Sequence, residues 1–268
     1  MSLDQANRLR QLVRASGTSD VGNARALPMV VVSGGKGGVG VSTIAMQVAM
    51  AVSRFGRRAL LVEADLDRGG HVEQACDGAS IADCIAGRVA VRDAIEPGPD
   101  GIWVLPGAWA PCDFTNCTAT AQDRLIDEMR TRTIDADMLI VDVGSSRNHF
   151  VRRFWRAASM VVMVTTPDDT AVTDAYAAIK VLLAGETSVP VYTLVNYAID
   201  GTNSLFVHER VRATCKRFLG LRTAALGDVP RLAPVSEISS EPAFGQIAGS
   251  LCEELGLSAA NRTIWLAA

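Results

Sequence analysis

The stretch of this chain best suited to hold an anion is Ser33-Gly34-Gly35-Lys36-Gly37-Gly38-Val39-Gly40-Val41-Ser42-Thr43. Glycines at 35, 37, 38 and 40 let the main chain approach phosphate oxygens without Cβ clashes, so backbone N–H groups can converge on negative charge. Ser42 and Thr43 close the run with hydroxyls, and Ser42 stands where a hydroxyl would ligand Mg²⁺. The phosphate-loop spacing G-x-x-x-x-G-K-[ST] is met by Gly35, Gly40 and Ser42 but not by the lysine, because residue 41 is valine. A second element of the same chemistry is Leu139-Ile140-Val141-Asp142-Val143-Gly144, an apolar run ending in an acid. Asp142 there would hold Mg²⁺ through water beside Ser42, since Mg²⁺ keeps several waters and needs one or two protein oxygens plus phosphate. Gly144 would abut the terminal phosphate.

The elements that must position these residues are legible as an alternation. Apolar, β-branched runs at Met29 to Val32, Ala59 to Val62, Ile102 to Leu105, Met138 to Val141, Met160 to Val164 and Val189 to Val195 suit strands buried on both faces. Between them, Thr43 to Arg54, Thr118 to Thr131, Thr170 to Ala184, Ser204 to Leu219 and Glu241 to Leu255 carry helical periodicity. The expected fold is α/β, a doubly wound, largely parallel sheet. Ligands of such sheets bind beyond the carboxyl ends of the strands, which is where the glycine run and Asp142 fall.

Composition narrows the function. The 268 residues, 49% hydrophobic, suffice for one sizeable core and require no second domain. With 26 Lys+Arg against 29 Asp+Glu the net charge is −3, which argues against a nucleic-acid partner. No apolar run approaches the ~20 residues that span a bilayer, and the polar start is unlike a secretion signal, so a cytoplasmic protein is expected. Cys76, Cys84, Cys112, Cys117, Cys215 and Cys252 lack metal-ligand spacing and read as reduced, mostly structural thiols. His71, His149 and His208 are isolated from one another.

The order Lys36-Gly37-Gly38-Val39-Gly40 resembles the deviant Walker A loop of MinD/ParA-type P-loop ATPases. The resemblance implies ATP/ADP and Mg²⁺ as cofactors, bound by Gly35, Lys36, Gly37, Gly38, Val39, Gly40, Val41, Ser42 and Thr43. It also implies an ATP-dependent homodimer in which Lys36 reaches the partner's nucleotide. The lysine that would hold the chain's own phosphates is the one replaced by Val41. Glu63-Ala64-Asp65-Leu66-Asp67 resembles the family's D-x-D-x-G segment, which makes Asp65 the acid that orients the attacking water. Thr173-Asp174-Ala175-Tyr176-Ala177-Ala178-Ile179-Lys180 is similar to a helix of MinD-type proteins and their flagellar relatives. Asn196 falls where the family asparagine contacts adenine, a task suited to an amide that both donates and accepts. Gly227-Asp228-Val229-Pro230 matches the family's G-x-[IV]-P turn, so the likeness runs from residue 29 to about 255.

The N-terminal Asp4-Gln5-Ala6-Asn7-Arg8-Leu9-Arg10 is similar to the D-Q-A-x-x-L-R motif of the flagellar-number regulators, the FlhG/YlxH/FleN-like branch. Leu3, Ala6, Leu9, Leu12 and Val13 share one helical face, while Gly17 to Pro28 reads as a tether. A dozen residues are too few for a stable isolated helix, which suits folding on a partner. The branch implies that this partner is an FlhF-type signal-recognition GTPase, engaged by Asp4, Gln5, Ala6, Leu9 and Arg10 with Gln5 entering its active site. The expected organisation is a partner-activating helix at 1–16, a linker at 17–28, a P-loop domain at 29–257 and a tail at 258–268. The tail carries Ile264, Trp265 and Leu266 but one arginine, which leaves membrane contact weak and conditional and places the protein at most peripherally at the inner face of the cell membrane. Two other functions fit parts of the sequence. Val41 fits a catalytically decayed scaffold that acts only as a protein-binding module, and the loop alone fits a ParA-like partitioning ATPase.

Overall fold

The computed structural model describes residues 26–65, 78–107, 118–131, 134–168, 170–183, 189–231 and 241–257. The N-terminal motif at 4–10 and the tail at 258–268 lie outside them, as do Cys76, Cys112, Cys117 and His71. Among the described residues, eight strands, β1 (Met29–Gly34), β2 (Ala59–Glu63), β3 (Glu96–Pro97), β4 (Trp103–Leu105), β5 (Met138–Asp142), β6 (Met160–Thr165), β7 (Val191–Ala198) and β8 (Thr223–Pro230), form one sheet in the order β3-β4-β2-β5-β1-β6-β7-β8. Every pairing is parallel except the antiparallel edge of β3 on β4.

Among the described residues, seven α-helices cover the faces: α1 (Val41–Arg54), α2 (Ile81–Ala86), α3 (Ala119–Met129), α4 (His149–Ala157), α5 (Ala171–Leu182), α6 (Gly201–Leu219) and α7 (Pro242–Glu254). Strand β1 illustrates why both faces are needed. Met29 and Val31 join a core formed with α2 to α6, whereas Val30 and Val32 join one formed with α1 and α7. Period-two alternation therefore yields an all-apolar strand when a helical layer lies on each side. Leu27, within the expected linker, is already part of the domain: it is buried, and its amide donates to the Arg130 carbonyl at 3.0 Å.

Besides the short edge strand β3, three elements go beyond the sequence reading. Helix α4 begins at Asn148, whose side chain accepts from the Val151 amide, and buries Phe150, Val151, Phe154 and Trp155. Helix α2 starts from Ser80, whose side chain pairs with Asp83 in a capping box. Residues Gly227 to Pro230 are the end of edge strand β8 rather than a turn, with Val229 paired to Asn196. Strand β1 sits where the order reverses, with β5 on one side and β6 on the other, so the loop after it opens at the switch point of the sheet.

Candidate functional site

The glycine run leaves β1 at Gly34 and enters α1 at Val41. Gly38 (φ +81°) and Gly40 (φ +88°) hold left-handed conformations that a β-carbon would strain. Gly37 and Gly38 are exposed, and a β-carbon on Gly38 would meet nothing within 4 Å. Helix α1 has no side-chain cap and no acid in its first turn, which leaves its N-terminal amides to an anion. An exposed glycine rim over an uncapped helix start fits the phosphates of a nucleotide.

The loop is held in place by contacts from four directions. At its base, the Gly34 amide donates to the Gly144 carbonyl at 2.9 Å. At its side, a β-carbon on Gly35 would stand 2.5 Å from the Ala175 nitrogen, so the loop lies directly against the first turn of α5 and only glycine fits. Lys36 donates to Asp168 at 2.7 Å and to Thr170 at 2.9 Å, with Asp174 at 3.9 Å. The expected cross-dimer lysine is thus paired within its own chain. At its far end, Asn196 donates to the Val39 carbonyl at 2.9 Å and accepts from the Tyr197 amide at 2.9 Å. Its amide, expected to face adenine, is buried and bridges β7 to the loop.

Val41 turns inward. It is 7% exposed, belongs to the same core as Val30 and Val32, and its Cγ2 lies 2.6 Å from where a β-carbon on Gly34 would stand. Val39 packs against the same point at 2.9 Å. The side chain at 41 therefore fills the inside of the loop, while its backbone opens α1.

The acids gather at the neighbouring strand ends. Asp142 ends β5, opposite Val32 of β1 and Glu63 of β2, and accepts from the Gly144 amide at 3.0 Å. Gly144 turns back at φ +62°, and the Asp65 carboxylate lies over its Cα, in the volume a β-carbon would need. Asp65, Asp142 and the buried Ser42 are thus carried by the β2, β5 and β1 exits, three adjacent strands. An oxygen-only donor set of a hydroxyl and carboxylates is chemically suited to Mg²⁺. Among the described residues, no group of three or more His, Cys, Asp or Glu side chains could hold a metal by itself. Glu63 is buried and accepts from the Gly107 amide at 3.1 Å, tying β2 to the end of β4.

Burial pushes the Asp168 carboxyl upward, but hydrogen bonds from Lys36, Thr166 and Thr170, together with the Lys36 charge, outweigh it and hold the group well below the usual carboxylate range. A cavity of about 390 Å³ opens between the loop and the β6 and β7 exits, lined by Lys36, Gly38, Thr166, Asp168, Tyr197 and Arg231. Tyr197 has a left-handed backbone (φ +59°), and the Arg231 guanidinium stacks 5.7 Å from its ring centre. A larger cavity of about 880 Å³ lies at the amino ends of the strands, beside Leu27, Arg58 and Leu257, away from every one of these groups. Asp168, Thr170 and Arg147 were not singled out by the sequence reading; Asp168 carried a signal, standing just after a strand.

The arrangement defines a doubly wound α/β fold with a glycine-rich loop at the switch point and acids on the adjacent strand ends. Two flagellar proteins are among its sequence relatives. The chain is 28% identical over 212 residues to the antiactivator FleN of Pseudomonas aeruginosa, covering 78% of this chain and 76% of FleN. It is 28% identical over 182 residues to the flagellum site-determining protein YlxH of Helicobacter pylori, covering 66% of this chain and 62% of YlxH. The fold matches the Pyrococcus horikoshii septum site-determining protein MinD, solved with Mg-ADP, with TM-score 0.68, 17% identity, and coverage of 88% of this chain and 99% of that one. No protein-family model matches the chain.

Proposed function

We propose that this protein is a MinD-like, ATP-binding regulator of flagellar number or placement. The likeness to FleN and YlxH supports the biological setting. The observation that carries the nucleotide reading is the open rim of Gly37 and Gly38 over the uncapped start of α1, beside the exits that bear Ser42, Asp65 and Asp142. Bound Mg²⁺ would neutralise charge on the phosphates, with Ser42 and Asp142 as its protein oxygens. Asp65 would orient water, and ATP would bring two copies together once Lys36 leaves Asp168. Calorimetry with ATP and ADP, with and without Mg²⁺, tests this reading: a saturable Mg²⁺-dependent signal is expected, and none with either nucleotide would reject it.

The output is assigned to residues 1–16, acting on an FlhF-type GTPase. Gln5 supplies an amide able to orient water in the partner's site, and Leu9 an apolar anchor. A peptide of residues 1–16 should accelerate GTP hydrolysis by that GTPase, and Gln5→Ala should remove most of the effect. A peptide without effect, where the full chain stimulates, would sink this assignment. The inward packing of Val41 favours one alternative, a scaffold that binds partners without hydrolysing ATP. In that case the N-terminal segment works unchanged.

A further inference from the structure

A phosphate-binding loop without its lysine needs positive charge from elsewhere, and Lys36 is already paired with Asp168 and near Asp174. A second cation that contacts the loop backbone is the guanidinium of Arg147. It comes from the segment between β5 and α4, and its Nη2 donates to the Gly35 carbonyl at 2.7 Å. That is a main-chain acceptor with no formal charge, and among the described residues no carboxylate pairs with Arg147. The same segment runs alongside the open rim: Ser145 Oγ lies 4.0 Å from where a β-carbon on Gly37 would stand. Arg147 is five residues beyond Asp142, so the strand exit that presents the proposed Mg²⁺ acid also presents this cation.

We propose that Arg147 supplies the phosphate-binding charge that residue 41 lacks, making it a nucleotide-binding residue that donates to the terminal phosphates from the side of the loop opposite Asn196. A guanidinium suits this position because it has five donors in a planar fork: one nitrogen can stay on Gly35 while others take phosphate oxygens. Residue 147 is exposed and its guanidinium sits at the loop, whereas Val41 is buried in the core. The inference rests on the nucleotide reading above and deepens it, by stating which side chain replaces the lysine.

The test is calorimetric titration of Mg-ATP and Mg-ADP into the full chain and into Arg147→Gln, which keeps a donor for Gly35 but removes the charge. Loss of a charge-assisted bond should weaken Mg-ATP binding roughly ten- to a hundredfold, and the melting temperature should stay unchanged. Wild-type affinity in Arg147→Gln would overturn the inference while leaving the nucleotide reading standing. A wild-type chain that binds neither nucleotide would overturn both. Should Arg147→Gln melt well below wild type, Arg147→Lys decides. Retained charge should let Arg147→Lys bind Mg-ATP tighter than Arg147→Gln, and equal affinities in the two variants would mean that Arg147 merely braces Gly35.

Discussion

Restoring a lysine at position 41 isolates what the valine does. Val41 is 7% exposed and packs on Gly34 and Val39, so Val41→Lys removes one branched methyl from a filled volume and threads a four-carbon stem through it. Losing that packing costs about 1 kcal/mol, of the order expected per buried methyl group, and the lysine methylenes recover part of it. In a chain of this size 1 kcal/mol corresponds to about 2–4 °C in melting temperature. Against this stands a new ammonium–phosphate bond contributing roughly 1.5–3 kcal/mol, or tens-fold in affinity. With Arg147 already beside the loop the two cations share the same phosphates, so the gain should fall near tenfold. Calorimetry with Mg-ADP and a thermal melt on the same sample read both quantities. Unchanged or weakened affinity in a folded Val41→Lys chain would refute the argument, because it would mean that position 41 serves only the core.

Lys36→Ala should abolish ATP-dependent self-association while Asp65→Ala traps it and slows hydrolysis. Light scattering with ATP separates them, and a chain monomeric in all cases would point to the scaffold. Gly35→Ala should destabilise the fold by about 1–3 kcal/mol, since its β-carbon would collide with main-chain atoms of Asp174 and Ala175 rather than with a yielding side chain; a denaturant midpoint equal to wild type would be the contrary result. Burial lowers the pKa of His208, partly offset by the Asp228 charge and a hydrogen bond with the Gly227 backbone. The unfolded chain therefore binds the proton more readily, and stability should hold above pH ~6.5 and decline as pH falls below it. His208→Gln should flatten that decline in urea titrations between pH 7 and 5, and an unaltered slope would exclude His208 as its source. Burial pushes the Cys84 thiol up to about 12 and the Cys215 thiol to about 11, so neither should react with iodoacetamide at pH 8 until the protein unfolds.

Strands with a helix layer on each face were legible in the sequence because their apolar runs are uninterrupted, as in Met29 to Val32 and Met138 to Val141. Edge strand β8 was not, since Gly227 and Pro230 read as punctuation and only Val229 of its last four residues is fully buried. Helix α4 escaped because arginines at 152, 153 and 156 interrupt an apolar face that shows only when Phe150, Phe154 and Trp155 are wrapped around a helix. At the site, the glycine run and Asp142 were placed by their offsets from strand ends and Asp65 by the resemblance of its segment, and the structure brings all three to adjacent strand exits. The partners of the loop could not be placed in this way: Asp168 is 132 residues from Lys36, Arg147 is 112 from Gly35, and Asn196 is 157 from Val39. Such pairings exist only after the sheet order has brought β5, β6 and β7 around β1.

Those long-range bonds explain how the loop can keep its shape with valine at position 41. Gly144 fixes its base, α5 its flank, the Lys36 cluster its outer edge and Asn196 its far end, and none of the four uses residue 41. Val41 even adds to the packing, by filling the interior of the turn. A loop ordered by its surroundings loses little conformational freedom when an anion arrives, so less of any new interaction is offset by ordering. Charge at the rim then becomes the variable that sets affinity. For that reason a single substitution at 41 or 147 should move nucleotide binding by an order of magnitude, while the shape of the loop stays as it is.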